Sequence, residues 1–211
     1  MRVTDTFDLQ KSLATFGRIL AHSVAAGGGT WQRHTGAQVA PETGYTVGVG
    51  KVACILLDLN IGHSHVVDLA NAWPTTAPAN AQYVGTWVAH DCLFVDHVTV
   101  IPDLALAISL ARKHSEEAIW DNAAGESIDV ALYLAKKEAA KLGVNLFHYR
   151  PGKHGGPGTV IARWESRNEW VTWQVYPTSG LASGHYHHLF DNAWQDYRAR
   201  SEHNGPGDFV R

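Results

Sequence analysis

The amino-acid sequence predicts an α+β fold with mixed or antiparallel sheets and packed helices, including two ββα-like units. Apolar residues recur at helical spacing over residues 8–26, and a run of three glycines then ends this amphipathic segment. Residues 82–88 and 92–100 are rich in Val, Tyr, Trp and Phe and flank a short turn, which predicts a β-hairpin. A hairpin pattern followed by a helical pattern returns near the C-terminus, so the same ββα order is expected twice.

The segments between these features alternate between short strands and helices. Strands are expected where β-branched and aromatic residues cluster, at 30–33, 45–49, 52–57, 117–120 and 144–150. Helices are expected where apolar residues return every three or four positions, at 62–73, 102–114 and 128–142. Gly143 directly after the last of these is the residue type that most often terminates a helix.

The strongest change in composition is the segment PGKHGGPG at 151–158, which predicts a connector between two lobes. The expected organisation has four parts: an α+β lobe at 1–150, the connector at 151–158, a three-stranded antiparallel sheet plus helix at 159–203, and a frayed tail at 204–211. A long loop within one domain remains the alternative, because the residues beyond the connector form only a small core of their own.

Strand alternation in the C-terminal segment predicts which side chains share a face. A two-residue turn at 167–168 sets the register. The residues expected on the core face are Trp164 paired with Val171, Ala162 with Trp173, and Val160 with Val175, joined by Gly184 and Tyr186. The residues expected on the opposite face are Arg163, Trp170, Thr172, Gln174, Tyr176, His185 and His187. A three-residue loop with a bulge would reverse the facing of the last strand.

Composition excludes several classes of protein. Of the 211 residues, 45% are hydrophobic and 18% are charged, a balance that excludes intrinsic disorder. The net charge of −3 shows no excess of basic residues over the chain, so nucleic acid is not an expected partner. The first ten residues lack an apolar signal region, and the longest apolar run, 52–57, is too short to span a bilayer. The expected location is therefore the cytoplasm, away from membranes.

Both cysteines and three of the tryptophans are predicted to be buried, because of the apolar runs in which they lie. Cys54 and Cys92 both lie in apolar runs, where buried free thiols are common, and this suits a reducing compartment. One disulfide remains the alternative. Trp87, Trp120 and Trp173 fall in apolar β runs and are expected in the core, because a tryptophan ring carries a large apolar area.

Histidine is abundant, with 13 residues, and it raises the question of a metal. On a strand, His185 and His187 point to one side, which suits two metal ligands, and His188 and Asp191 are further candidates. No additional ligand stands at a diagnostic spacing, so we expect no metal or cofactor. A metal-dependent enzyme or metal-binding module using His185 and His187 is the alternative. The motif GxSxG is absent and no complete phosphate loop occurs, so non-enzymatic function is favoured.

The mixed face of the C-terminal sheet is the main functional candidate. Trp170 lies there with Tyr176 and Arg163, and these are residue types enriched in the hot spots of protein interfaces. A surface that binds another protein is therefore expected. The alternative is that the N-terminal lobe covers this face.

Four stretches, YVGTWV, FVDHVTVIPD, LARKHSEEAIWD and GESI, resemble uncharacterised proteins of actinobacteria and their bacteriophages over about residues 6–130. The motifs GHY and AWQDYR near 184–198 are similar to a C-terminal element of the same group. The resemblance carries no activity and no catalytic residue. It implies a phage or mobile-element origin. We therefore expect an accessory protein in the host cell interior, with a virion structural protein as a further alternative.

Overall fold

The computed structural model describes residues 9–58, 61–73, 77–89, 91–152, 156–202 and 208–209. Within these residues the fold is α+β, as predicted, with five helices, a curled seven-stranded antiparallel sheet and a second antiparallel sheet. The helices are α1 (Leu9–Ala26), α2 (His63–Ala72), α3 (Leu104–Lys113), α4 (Val130–Leu142) and α5 (Phe190–Arg200). No helix among the described residues is long and apolar enough to cross a membrane.

The strands, in chain order, are β1 (Gly28–Gln32), β2 (Gln38–Val39), β3 (Tyr45–Leu56), β4 (Tyr83–Ala89), β5 (Cys92–Ile101), β6 (Ala118–Asp121), β7 (Glu126–Asp129), β8 (Asn145–Arg150), β9 (Gly158–Trp164), β10 (Glu169–Tyr176), β11 (Gly180–His187) and β12 (Asp208–Phe209). The larger sheet has the order β2-β1-β4-β5-β3-β6-β7, and the second sheet has the order β11-β10-β9-β8-β12. The expected ββα order occurs twice, as β4-β5-α3 and as β10-β11-α5.

The chain forms two compact units, Met1–Ala107 with Asp121–Gly125, and Ile108–Trp120 with Glu126–Arg211. The core of the first unit lies between helices α1 and α2 and one face of its sheet. Helix α1 ends where the glycine run predicted, at Gly27, whose φ of 78° favours glycine. The runs expected at 45–49 and 52–57 form one strand, β3, with two register shifts against β5.

The second unit places its sheet between two helices. Alanines of α4 pack on one face of the sheet, against residues that include Val171 and Trp173. On the other face, Ile161 of β9 packs against α5. Helix α4 begins two residues later than predicted, because Asp129 is extended and its carboxylate accepts a hydrogen bond from the Leu132 amide at 2.8 Å.

The two faces of the second sheet are assigned as predicted, but Tyr186, which was expected in the core, is 52% exposed near the edge of its face, and the register differs from the prediction. Trp164 pairs with Glu169, so Val171 lies opposite Ala162 and not opposite Trp164. The connection is longer than expected, because a 3-10 turn at Glu165–Arg167 precedes Asn168 in the left-handed region. Since the register differs by two residues, every side chain keeps its predicted face.

The segment 151–158 is not a boundary between the two compact units. Its described residues connect β8 to β9, and these two strands are hydrogen-bonded neighbours in the second sheet. Residues 153–155 lie outside the described residues. Within the expected tail, the described pair Asp208–Phe209 forms β12 and pairs with β8, because the edge of β8 still offers unpaired backbone groups.

Several residues expected in the core are exposed instead. Trp120 is 47% exposed, because alternation along β6 turns Ile119 inward and Trp120 outward. Trp87 is 36% exposed and stacks on Phe94, on the sheet face opposite the core of the first unit. The buried thiols were also wrongly predicted, since Cys54 is exposed and Cys92 half-buried.

Candidate functional site

Helix α5 lies on the face of the second sheet that carries the seven residues predicted to bind. Ile161, Ala193 and Tyr197 are fully buried where the helix meets the sheet. Near the end of the helix, the Arg200 guanidinium donates to the carbonyl oxygen of Thr172 at 3.0 Å. A helix of the same unit therefore interrupts the face and divides the seven residues into three groups.

The middle group surrounds one carboxylate of α5. The Thr172 hydroxyl, fully buried, donates to Oδ2 of Asp196. Nδ1 of His185 lies 2.9 Å from Oδ1 of Asp196, and Nε2 of His187 lies 3.6 Å from Oδ2. Arg200, one helical turn later, places Nη1 3.9 Å from the same carboxylate. Asp196 thus joins strands β10 and β11 to α5.

Asp196 is held in its ionised form. Burial alone would raise the pKa of its carboxyl, but the hydrogen bonds from Thr172 and His185 and the electrostatic effect of His185 and Arg200 hold that pKa below its usual range. A carboxylate can only accept hydrogen bonds, so Nδ1 of His185 carries the proton in their contact. The His185 ring is thereby fixed with 54% of its side chain exposed.

The first group forms a cluster of rings at the start of α5, Phe147, Trp170 and Phe190, with Arg163; together with Leu189, which precedes Phe190 in the chain, we call this group the aromatic end. The ring centroids of Trp170 and Phe190 lie 4.7 Å apart, and Phe147 lies 5.6 Å from Trp170 and 5.7 Å from Phe190. The Arg163 guanidinium lies 5.3 Å from the Trp170 ring centroid. Leu189 is 64% exposed and Phe147 38% exposed, so the aromatic end is open to solvent.

The last group, Gln174 and Tyr176, lies apart from the aromatic end. The Tyr176 hydroxyl donates to Oε1 of Gln174 at 3.2 Å. Tyr176 follows Trp170 by six positions on β10, which is about 20 Å along an extended strand. The predicted residues therefore do not make one continuous surface.

Sequence reasoning missed the residues that complete these groups. Phe147 lies at a β-bulge of β8, which gives its ring contacts on the same side of the sheet as His148. Simple alternation would place neighbouring residues on opposite faces, so no sequence signal indicated Phe147. Asp196 could have been found from its spacing, because Asp196 and Arg200 are an i, i+4 pair on a predicted helix.

The candidate metal ligands are not assembled into a metal site. His185 and His187 point to one side, as predicted, but both face Asp196. His188 and Asp191 are exposed. In the described part of the chain, no three His, Cys, Asp or Glu side chains are placed so that they could hold a metal ion.

A small polar cavity of the second unit contains another pair of ionisable groups. The Tyr149 hydroxyl donates to Oδ2 of Asp129 at 3.0 Å, and Glu117 also lines the cavity. Burial raises the pKa of Tyr149, and the negative charge of Asp129 adds to this effect. Burial also raises the pKa of Asp129, against the hydrogen bonds that it accepts. Because Asp129 also caps the N-terminus of α4, this pair contributes to the stability of the helix.

Comparisons with protein-family models, with curated proteins and with solved structures found no match for this chain. The geometry of the second sheet and its helix is therefore the main guide to function.

Proposed function

We propose that this chain binds another protein through the aromatic end of its second sheet. The observation that carries the proposal is the cluster of Phe147, Trp170 and Phe190, which is open to solvent beside the exposed Leu189. Single exposed apolar residues are normal on protein surfaces, but contiguous apolar patches mark interaction sites. Trp and Arg are also the side chains most enriched in binding hot spots.

The aromatic end is organised before a partner arrives. The Trp170 ring contacts both Phe190 and the Arg163 guanidinium, and Arg163 is itself held by Glu165 at 3.5 Å and by Asn168. Side chains that are already ordered lose less conformational entropy on association, which favours affinity.

The Asp196 contacts support this surface indirectly. They fix α5 on β10 and β11, and α5 carries Phe190 at its first position. In this proposal, His185 and Thr172 position the helix, and Trp170 and Leu189 contact the partner. The predicted binding residues thus divide into contact residues and positioning residues.

The biological setting is proposed from the sequence resemblance. It favours an accessory protein encoded by a phage or mobile element, acting inside the host cell on a host or phage protein. A structural role in the virion would use the same apolar surface toward a neighbouring capsid or tail protein.

Affinity capture with lysates of infected and uninfected actinobacterial cells tests the proposal. Wild-type protein is compared with the double variant Phe147→Ser and Leu189→Ser, and with Trp120→Ser, an exposed ring of the same unit outside the aromatic end. We expect a discrete partner with wild-type protein and with Trp120→Ser, and its loss with the double variant. Equal capture by all three folded proteins would contradict the proposal.

A further inference from the structure

The two cysteines lie side by side on an exposed face of the first unit. In the β3–β5 ladder, Cys54 pairs with Phe94 and Leu56 pairs with Cys92, so the cysteines are diagonal neighbours on one face. Cys54 is exposed and Cys92 is half-buried. The Cys54 thiol is hydrogen-bonded to the Cys92 side chain, so the two sulfur atoms already face each other.

We propose that Cys54 and Cys92 form a redox-active dithiol, which a small-molecule disulfide closes into an intramolecular bridge. A thiolate of the pair attacks one sulfur of the small disulfide, forms a mixed disulfide and releases one small thiol. The other cysteine, as its thiolate, then attacks the protein sulfur of the mixed disulfide and releases the second small thiol. The two protein thiols are oxidised, the small disulfide is reduced to two thiols, and the two protons pass to those thiols.

The backbone geometry allows this bridge with a small adjustment. Diagonal neighbours in a sheet have Cα atoms about 7–8 Å apart, just beyond the span of roughly 7 Å that a disulfide bridges without backbone movement, so closure requires a small shift of the backbone. Cys92 is the first residue of β5, and β3 ends at Leu56, two residues after Cys54. A strand end can move without breaking the rest of the ladder, so the two sulfurs can come within bonding distance.

The surroundings make the pair accessible but slow to react at neutral pH. Leu56, opposite Cys92, is 73% exposed, so reagents reach this end of the sheet. The Cys54 thiol donates a hydrogen bond to the Cys92 sulfur, and this bond, together with burial, raises the pKa of Cys54 to about 11. Because the thiolate is the attacking species, closure should accelerate as the pH rises.

Native, reduced protein treated with excess oxidised glutathione at about pH 8.5 tests the proposal. We expect both thiols to disappear from titration with a thiol reagent, and the intact mass to fall by two hydrogen atoms with no bound glutathione. Dithiothreitol should restore both thiols. Circular dichroism before and after oxidation confirms that the fold is retained.

The matched variants Cys92→Ser and Cys54→Ser distinguish formation of the intramolecular disulfide from independent reaction of two exposed thiols. Each leaves one cysteine, which can hold glutathione but has no neighbour to displace it. We expect each variant to retain one bound glutathione. The proposal is overturned if folded wild-type protein also retains glutathione, forms cross-linked dimers, or stays reduced under conditions that oxidise the unfolded chain.

Discussion

Nδ1 of His185 lies 2.9 Å from Oδ1 of Asp196, and this contact joins the edge strand β11 to the helix α5 that covers the second sheet. The same carboxylate accepts from the Thr172 hydroxyl on the neighbouring strand β10. One side chain of α5 therefore links two strands, and its removal should loosen the helix that supports the aromatic end.

Replacing Asp196 with Asn removes the charge but keeps the shape of the side chain. We expect the free energy of unfolding near neutral pH to fall by about 1–3 kcal/mol, because His185 and Arg200 lose a charged partner. Urea unfolding, followed by circular dichroism, measures this change.

The pH dependence of that loss identifies its cause. The pKa of Asp196 in the folded state is held below its unfolded value of about 3.9, so its ionised form stabilises the fold above that value. This stabilisation disappears as the pH falls through the lower, folded pKa. The gap between wild type and Asp196→Asn should therefore shrink in strong acid. A gap of constant size would show that charge is not its source.

Trp173 should be the most costly tryptophan to remove from the second unit. It is 5% exposed and packs in the core beneath α4, so Trp173→Ala should cost about 3–5 kcal/mol of stability. Trp120→Ala is the matched control, since its ring is 47% exposed, and should cost less than about 1 kcal/mol. Similar losses for both variants in urea unfolding would mean that the core is assigned incorrectly.

Gly184 lies against the Trp173 ring and leaves no room for a side chain. A Cβ at Gly184 would lie 2.7 Å from Nε1 of Trp173, so Gly184→Ala should destabilise the protein by about 1–3 kcal/mol. Gly17 in helix α1 has nothing within 4 Å of such an atom. Gly17→Ala should therefore stabilise the protein by roughly 0.5–1 kcal/mol. Thermal melting of both variants checks the opposite signs.

Alternation of side chains made the faces of the second sheet predictable, because Val171 and Trp173 differ clearly in character from Thr172. The register between β9 and β10 was not predictable in the same way. Residues Glu165–Arg167 form a 3-10 turn whose length has no strong sequence signature. An error of two residues in this turn changes the cross-strand partner of every residue. It leaves each side chain on the same face of the sheet.

The contacts of the candidate site were harder to predict from the sequence than the strands, because they depend on tertiary structure. Trp170 and Arg163 were found as a pair on one face, and they do contact each other. Phe147 reaches them through a β-bulge, and Phe190 reaches them from α5. Neither feature follows from strand periodicity. The presence of α5 across this face separates Tyr176 from Trp170, which the sequence placed together.

The equilibrium dissociation constant of the captured partner, measured for wild type, Trp170→Ala and Tyr176→Ala by titration calorimetry, tests the central claim most directly. If the aromatic end is the binding surface, Trp170→Ala weakens binding at least about 30-fold, or about 2 kcal/mol, and Tyr176→Ala changes it less than about threefold. Thermal melting of each variant controls for folding. Wild-type affinity in folded Trp170→Ala, or an equal loss in Tyr176→Ala, would contradict the claim.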